Sequence, residues 1–297
     1  EKSVSEKVRI GGAIALGTLI ILASFHISKQ TTADQQAFVI AATPREPIET
    51  NDFDNDGTPD WEEHLADRVF KSIELPVSAD IATEDSSYTP PTTLTGKFSE
   101  AFLQDYLQGK MDGQDFSDPT AFVDTAIKAI ERNAESKRYS ISEIFPIPTT
   151  PESAHSYGNT LQAITSQHSN PQVTENEMVI LQRALEAQDP ELLKPLNTIG
   201  NSYAGIIADT LSMPVPDAFI VEHIAILNAY EEIYTDIRAG ELAFTDPLYT
   251  LARVRDYETH ATTLLNAFIA LAKALAREGV IYTSNEPGAF YRLLETL

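Results

Sequence analysis

From Lys97 onward, apolar residues recur every three or four positions, the spacing that gathers them on one face of an α-helix. Phe98, Phe102 and Tyr106 open the series. Phe122, Ala126, Ile127 and Ile130 follow a start signal at Asp118-Pro119, where the acid can cap and the proline fits the first turn. The same pair returns at Asp189-Pro190 and Asp246-Pro247. Thr174 and Glu177 form a capping box ahead of Met178, Leu181 and Leu185. Leu192, Leu196, Ile199, Tyr203, Ile206 and Thr210 trace a stripe that Pro214 and Pro216 end, and Ile220, Ile224, Leu227, Tyr234 and Ile237 mark a further helix stopped by Gly240. The last long pattern, Leu248 to Leu275, predicts one continuous helix from Asp246 to Glu278, roughly 50 Å in length. A short helix from Pro287 to Leu297 then docks Phe290, Tyr291 and Leu294. Residues 97–297 therefore predict an all-α domain of about seven or eight helices, antiparallel where the connections are short.

Other stretches depart from that period. Tyr139 to Pro151 (YSISEIFPIPTTP) is extended and proline-bearing, which suits a buried connection between helices, a groove ligand or an edge offered to a partner. Residues 29–50 and 73–96 read as linkers, the second rich in Ser, Thr, Pro and Asp. Ile10 to Ile27 (IGGAIALGTLIILASFHI) carries no Asp, Glu, Lys or Arg and is near the lower length for crossing hydrocarbon as a helix. It predicts a transmembrane helix at residues 10–28, with a cleaved signal peptide and a buried core helix as the alternatives. Lys2, Lys7 and Arg9 precede the run and Lys29 follows. That bias makes residues 1–9 a cytoplasmic tail, and the chain a single-pass inner (plasma) membrane protein with its bulk extracytoplasmic.

Between the linkers lies Asn51 to Glu63, NDFDNDGTPDWEE, with the chain's one tryptophan. Asp52, Asp54, Asp56, Asp60 and Glu63 occupy positions 1, 3, 5, 9 and 12 of a twelve-residue loop, and Gly57 occupies position 6. Ca²⁺ is a hard cation that takes six to eight oxygens, so a tight turn must aim alternate side chains inward. Gly57 allows the bend, the Thr58 carbonyl fills position 7, and Glu63 can close the sphere with both oxygens. The expected metal ligands are thus Asp52, Asp54, Asp56, Thr58, Asp60 and Glu63, and the cofactor is Ca²⁺. Pro44 and Pro47 deny the loop an entering helix. Asp60 to Ser72 reads as a short exiting helix with Trp61, Leu65, Val69 and Phe70 on one side. Residues 51–72 form a loop-then-helix unit, either a stiff bead between tethers or a pad docked on the domain beyond.

This unit resembles the thrombospondin type 3 repeat, whose acidic loop has the form DxDxDGxxDxxD/E. The resemblance covers Asp52 to Glu63, is EF-hand-like, and implies a calcium site without implying adhesion. The layout of tail, anchor, single loop, Thr/Pro linker and helical domain, with the segment from Pro214 to Asp246, resembles envelope proteins predicted in candidate-phyla bacteria with reduced genomes. That resemblance implies association with secretion or pilus-like machinery.

Charge narrows the partners. The chain of 297 residues has a net charge of −23, from 21 Lys and Arg against 44 Asp and Glu, and such a surface repels phosphate backbones. Nucleic acid is excluded as a partner; the membrane through the N-terminal helix and proteins of an envelope complex, further copies of the chain included, are expected. The chain has no cysteine, so disulfides and thiolate chemistry are absent. HExxH, GxSxG, GxxxxGK[ST] and GxGxxG do not occur. Glu152 and His155 form a lone Glu-x-x-His pair, where a di-iron bundle needs two. His223 reads as a core histidine, and His260 lies beside Glu258 at a spacing that does not face on a helix. The expectation is a non-enzymatic structural or interaction component of an envelope assembly. The alternative is a cell-wall-active hydrolase or lyase using Glu222 or Glu231 as general acid.

Overall fold

The computed structural model describes residues 51–54, 57–73, 91–100, 135–169, 173 and 175–294. The apolar run from Ile10 to Ile27, the Asp118-Pro119 start, Phe102 and Tyr106 lie outside them. Helix makes up 72% of this region and strand 3%, so the all-α reading holds. No described helix is long and apolar enough to cross a membrane.

The helices are α1 (Asp60–Ile73), α2 (Pro151–Gln167), α3 (Glu177–Ala187), α4 (Lys194–Ser212), α5 (Ile220–Gly240), α6 (Pro247–Val254), α7 (Tyr257–Arg277) and α8 (Tyr291–Leu294). The organising element is α5, which α4, α6 and α7 flank. Its sequence stripe underestimates how deeply it lies: Ile226, Leu227, Ala229, Tyr230, Ile233 and Ile237 are buried, and so are His223, Glu231, Glu232 and Asp236. On α4 the expected stripe is the buried one, with Leu196, Ile199, Tyr203, Ile206 and Thr210 inward.

Caps explain where the helices start. Thr150 accepts from the Ser153 N–H while the Ser153 hydroxyl accepts from the Thr150 N–H, with Pro151 in the first turn of α2. Asn176, one residue before Glu177, caps α3 by accepting from the Met178 N–H at 2.8 Å; Thr174, the expected cap, lies outside the described residues. Asp189 caps a 3₁₀ turn, Pro190–Leu193, that leads into α4.

Asp246 behaves differently from a simple N-cap. Its carboxylate accepts from the N–H groups of Leu94 and Thr95, at 2.7 and 2.8 Å, and from the Thr95 hydroxyl. It therefore caps the helical residues 94–100, while the Thr95 oxygen accepts from Leu248 N in the first turn of α6. Two helix starts cap each other. The helix read as beginning at Lys97 begins at residue 94, and the end of the expected linker is packed, with Leu94 and Phe98 against Leu248.

The single helix expected from Asp246 to Glu278 is two. It breaks at Arg255 and Asp256, where Asp256 takes φ −97° and ψ 7°. Val254 and Tyr257 on either side are both buried. The bend lets α6 pack against α1 and α5 while α7 runs along α5.

Two three-residue strands, β1 (Phe145–Ile147) and β2 (Pro214–Pro216), pair in parallel with Pro146 opposite Val215. Val215 is the one residue of β2 with an N–H to donate. Pro146, Pro214 and Pro216 cannot extend the ladder, so this connection cannot template a further strand. At the end of the chain Tyr282 and Tyr291 bury against α2 over Gly158, where an added Cβ would sit 2.0 Å from the Tyr282 hydroxyl.

Candidate metal centre

The 52–63 loop closes through its own backbone. Gly57 takes φ +97°, a left-handed conformation that strains any side chain, at the sharp bend of position 6. Its N–H donates to Asp52 Oδ2 at 3.0 Å. The Phe53 N–H donates to Asp60 Oδ1 at 2.9 Å, and the Asp60 N–H to the Asn51 carbonyl at 2.7 Å. First-position and ninth-position acids are thus turned into the same loop. The other oxygen of Asp52, Oδ1, is buried with no hydrogen-bond partner. A buried carboxylate oxygen without a donor is costly, and a hard cation is the species that would relieve it.

Of the other expected ligands, Thr58 and Glu63 are half-buried and Asp54 is exposed. Asp56 at position 5 lies outside the described residues. Among those residues no three acidic or imidazole groups converge into an ion-holding cluster. The described candidates offer only oxygen donors, and Asp52 Oδ1 is buried without a donor of its own, chemistry that suits a hard cation.

Behind the loop, α1 spans Asp60–Ile73 as the pattern predicts. Asp60, Glu62 and Glu63 place three acids in its first turn, where the helix dipole favours negative charge. Trp61 and Leu65 are buried in the main core with residues of the C-terminal domain. Further contacts tie the unit down: Asn51 to Glu186 at 3.3 Å, Arg255 to Glu62 at 3.5 Å, and Arg68 to Gln188 and over the Phe244 ring. Of the two roles the sequence leaves open, bead or docked pad, the described geometry is the docked one.

Other chemistry-bearing residues fall elsewhere. His155 pairs with Glu286 at 3.0 Å and stacks on Tyr282, while Glu152 is exposed. His223 is fully buried; its Nδ1 lies 3.0 Å from the Tyr157 hydroxyl and its Nε2 has no partner. Burial pushes its pKa down to about 4. Glu222 lies 3.6 Å from Arg277, and Glu231 accepts from the Tyr139 hydroxyl at 3.0 Å.

The sequence reading missed a buried ionic cluster. Glu232 and Asp236, one turn apart on α5, meet the Arg253 guanidinium at 2.8 Å each. Asp236 also meets His260 Nδ1 at 2.6 Å, and Arg138 reaches Glu232 from outside at 2.5 Å. Burial by itself would lower the His260 pKa, but the hydrogen bond to Asp236 and the pull of both carboxylates raise it. Burial by itself would raise Glu232, but the hydrogen bond from Arg253, the Ser136 hydroxyl and the charges of Arg253 and Arg138 together outweigh it, so that carboxyl lies below its usual range. One signal was available: two acids at i and i+4 in the most apolar helix face need buried cations, and Arg253 and His260 lie seven apart on the next pattern.

No family model, curated protein or solved structure matches the chain. Its functional reading therefore rests on its own residues. A cleft of about 720 Å³ opens between α1 and the body, lined among others by His64, Asp67, Arg68, Gln188 and Phe244. Neither Glu222 nor Glu231 lines it.

Proposed function

We propose that this is a membrane-anchored, extracytoplasmic calcium-binding protein serving as a structural or interaction component of a cell-envelope assembly. The observation that carries the reading is the loop itself. A glycine at φ +97° folds Asp52 and Asp60 into one turn, and Asp52 Oδ1 is left buried without a donor. Because the loop continues into α1, and α1 contributes Trp61 and Leu65 to the main core, an ion there would fasten the helix to the domain. Single loops bind weakly, with dissociation constants of roughly 10⁻⁴ to 10⁻³ M in extracellular modules, so this one suits a compartment where calcium approaches millimolar. The apolar run from Ile10 to Ile27 supplies the anchor and the outward orientation. Exposed Ile141 and Phe145 are consistent with protein partners.

Terbium luminescence tests the site. Trp61 is the sole tryptophan and stands at loop position 10, so excitation of the full chain should sensitise bound terbium. Calcium should compete the emission away in the high-micromolar to millimolar range, at roughly 10⁻⁴ to 10⁻³ M. Emission that is absent, or unchanged in Asp54→Ala, refutes the proposal.

A further inference from the structure

We propose that the cleft between α1 and the body binds the carboxylate end of a peptide or peptide-like molecule, with Arg68 as its anchor. This inference does not rest on calcium in the loop. At about 720 Å³ the cleft lies within the range of small-molecule sites. Arg68 lies in its wall with the guanidinium 4.1 Å from the centre of the Phe244 ring, one Nη donating to Gln188 and Nε buried without a partner.

Two described arginines have no carboxylate partner among the described residues: Arg292, which is exposed and donates to the Tyr282 carbonyl, and Arg68, which is half-buried in the cleft wall. Arg138, Arg183, Arg238, Arg253, Arg255 and Arg277 each pair with a carboxylate. Among the described residues Arg68 has none, and its partners are an amide oxygen and a ring face. Burial lowers its pKa with nothing to offset it. In a chain of net charge −23, a half-buried guanidinium with no acid paired to it among the described residues is a specific feature.

The surroundings define the anion. Helical residues 94–100 do not supply an anion hole, because the N–H groups of Leu94 and Thr95 go to Asp246 and that of Gly96 to the Thr93 hydroxyl. The charge must be met by Arg68. Asp67 beside it adds a negative charge that disfavours a dianionic phosphate ester and accepts from an N–H. His64 stands one turn before Arg68. Among the described residues neither the His64 nor the Asp67 side chain has a hydrogen bond or ion pair, so both side chains are available. A single negative charge next to an N–H donor describes the terminal residue of a peptide, and Phe244 and Pro247 give its side chain an apolar floor.

The test is calorimetric titration of the 297-residue chain, in calcium-containing buffer, with acetyl-alanyl-alanine, its C-terminal carboxamide and inorganic phosphate. The free acid is expected to bind with a dissociation constant of about 10⁻³ M, as suits so small a ligand. The carboxamide and phosphate should each bind at least ~10-fold more weakly, since the charge-assisted bond to Arg68 is what they lose or misfit. Arg68→Gln should lose ~10-fold or more for the acid, and Arg68→Lys less. Asp67→Asn, at an exposed position that leaves the fold intact, should weaken the acid by about 2- to 5-fold. Equal binding of acid and carboxamide, tighter binding of phosphate, no binding of the acid, or full affinity in both Arg68→Gln and Asp67→Asn overturns the assignment.

Discussion

The acids of α5 and the acids of the 52–63 loop face the same electrostatic problem and are provided for differently. Glu232 and Asp236 are buried, and the fold brings Arg253, Arg138 and His260 to them. Asp52 and Asp60 receive backbone N–H groups and, among the described residues, no guanidinium or ammonium; Asp52 Oδ1 receives nothing. Where the chain carries its own cations the carboxylates tie three helices together without an ion from solution. Among the described residues Asp52 and Asp60 have no such cation, and the proposed calcium ion would make this second region responsive to chelation. The difference predicts that one set is sensitive to mutation and the other to chelation.

The largest expected effect comes from removing the internal cation. Arg253→Met leaves two buried carboxylates facing each other at the α6–α7 break, and breaking a buried pair in this way costs about 3–5 kcal/mol. For a domain of this size that lowers the thermal midpoint by roughly 10 °C. Adding Asp236→Asn should recover part of the loss, because the cycle then removes the charge left stranded. A midpoint within a degree of the parent would show that the cluster contributes nothing to holding α5, α6 and α7 together.

Chelation is the counterpart at the loop. With the proposed site weak and calcium near millimolar, binding would stabilise the folded state by roughly 0.4–1.4 kcal/mol, so a chelator should lower the midpoint by only a few degrees. The amides of Trp61 to Leu65 should exchange faster on chelation, since α1 is the element that continues from the loop. In Asp54→Ala, calcium and chelator should give the same midpoint. A chelator effect as large as that of Arg253→Met, or one that persists in Asp54→Ala, would break the comparison.

The two regions also differ in how much of each the sequence disclosed. The loop is local: its acids and its glycine are close neighbours in sequence and lead straight into the helix, so spacing sufficed to place the bend at Gly57 and the helix from Asp60. The cluster is not local. Glu232 and Asp236 are more than a dozen residues from Arg253 and His260, and their meeting depends on the break at Asp256 that converts one predicted helix into two. Apolar periodicity continues across that break, because Val254 and Tyr257 both point inward, and period alone cannot see it. The same limit hid the exchange of caps between Asp246 and Thr95: an Asp-Pro pair announces a helix start without saying whose N–H groups the carboxylate will serve. Docking of α1 was written in Trp61 and Leu65 as an apolar stripe, but the surface that receives it belongs to Glu186, Gln188, Phe244 and Arg255, none of which carries a motif.

His260 is the cation of the cluster that solution conditions can remove, and it sharpens the comparison with the smallest effect. Its pKa in the folded chain lies above the ordinary value of about 6.5, because the Asp236 and Glu232 carboxylates outweigh its burial. The stability it contributes is therefore complete below about pH 6.5 and is lost as pH rises through its folded pKa. Arg253, whose burial is outweighed by the neighbouring carboxylates so that its pKa is raised, stays charged throughout, so the loss should be smaller than that of Arg253→Met. His223 gives the opposite sign within the same helix bundle. It has no carboxylate partner and is held near 4 by burial, so its contribution is present above pH 6.5 and declines as pH falls toward 4. Imidazole NMR on the full chain should place the His260 midpoint above that of an unfolded histidine and the His223 midpoint far below it. His260→Gln should flatten the alkaline side of the stability profile and leave the acid side unchanged. If the two imidazoles titrate together near the ordinary value, the pairing of His260 with Asp236 does not govern its charge, and α5 holds its acids with guanidinium groups alone.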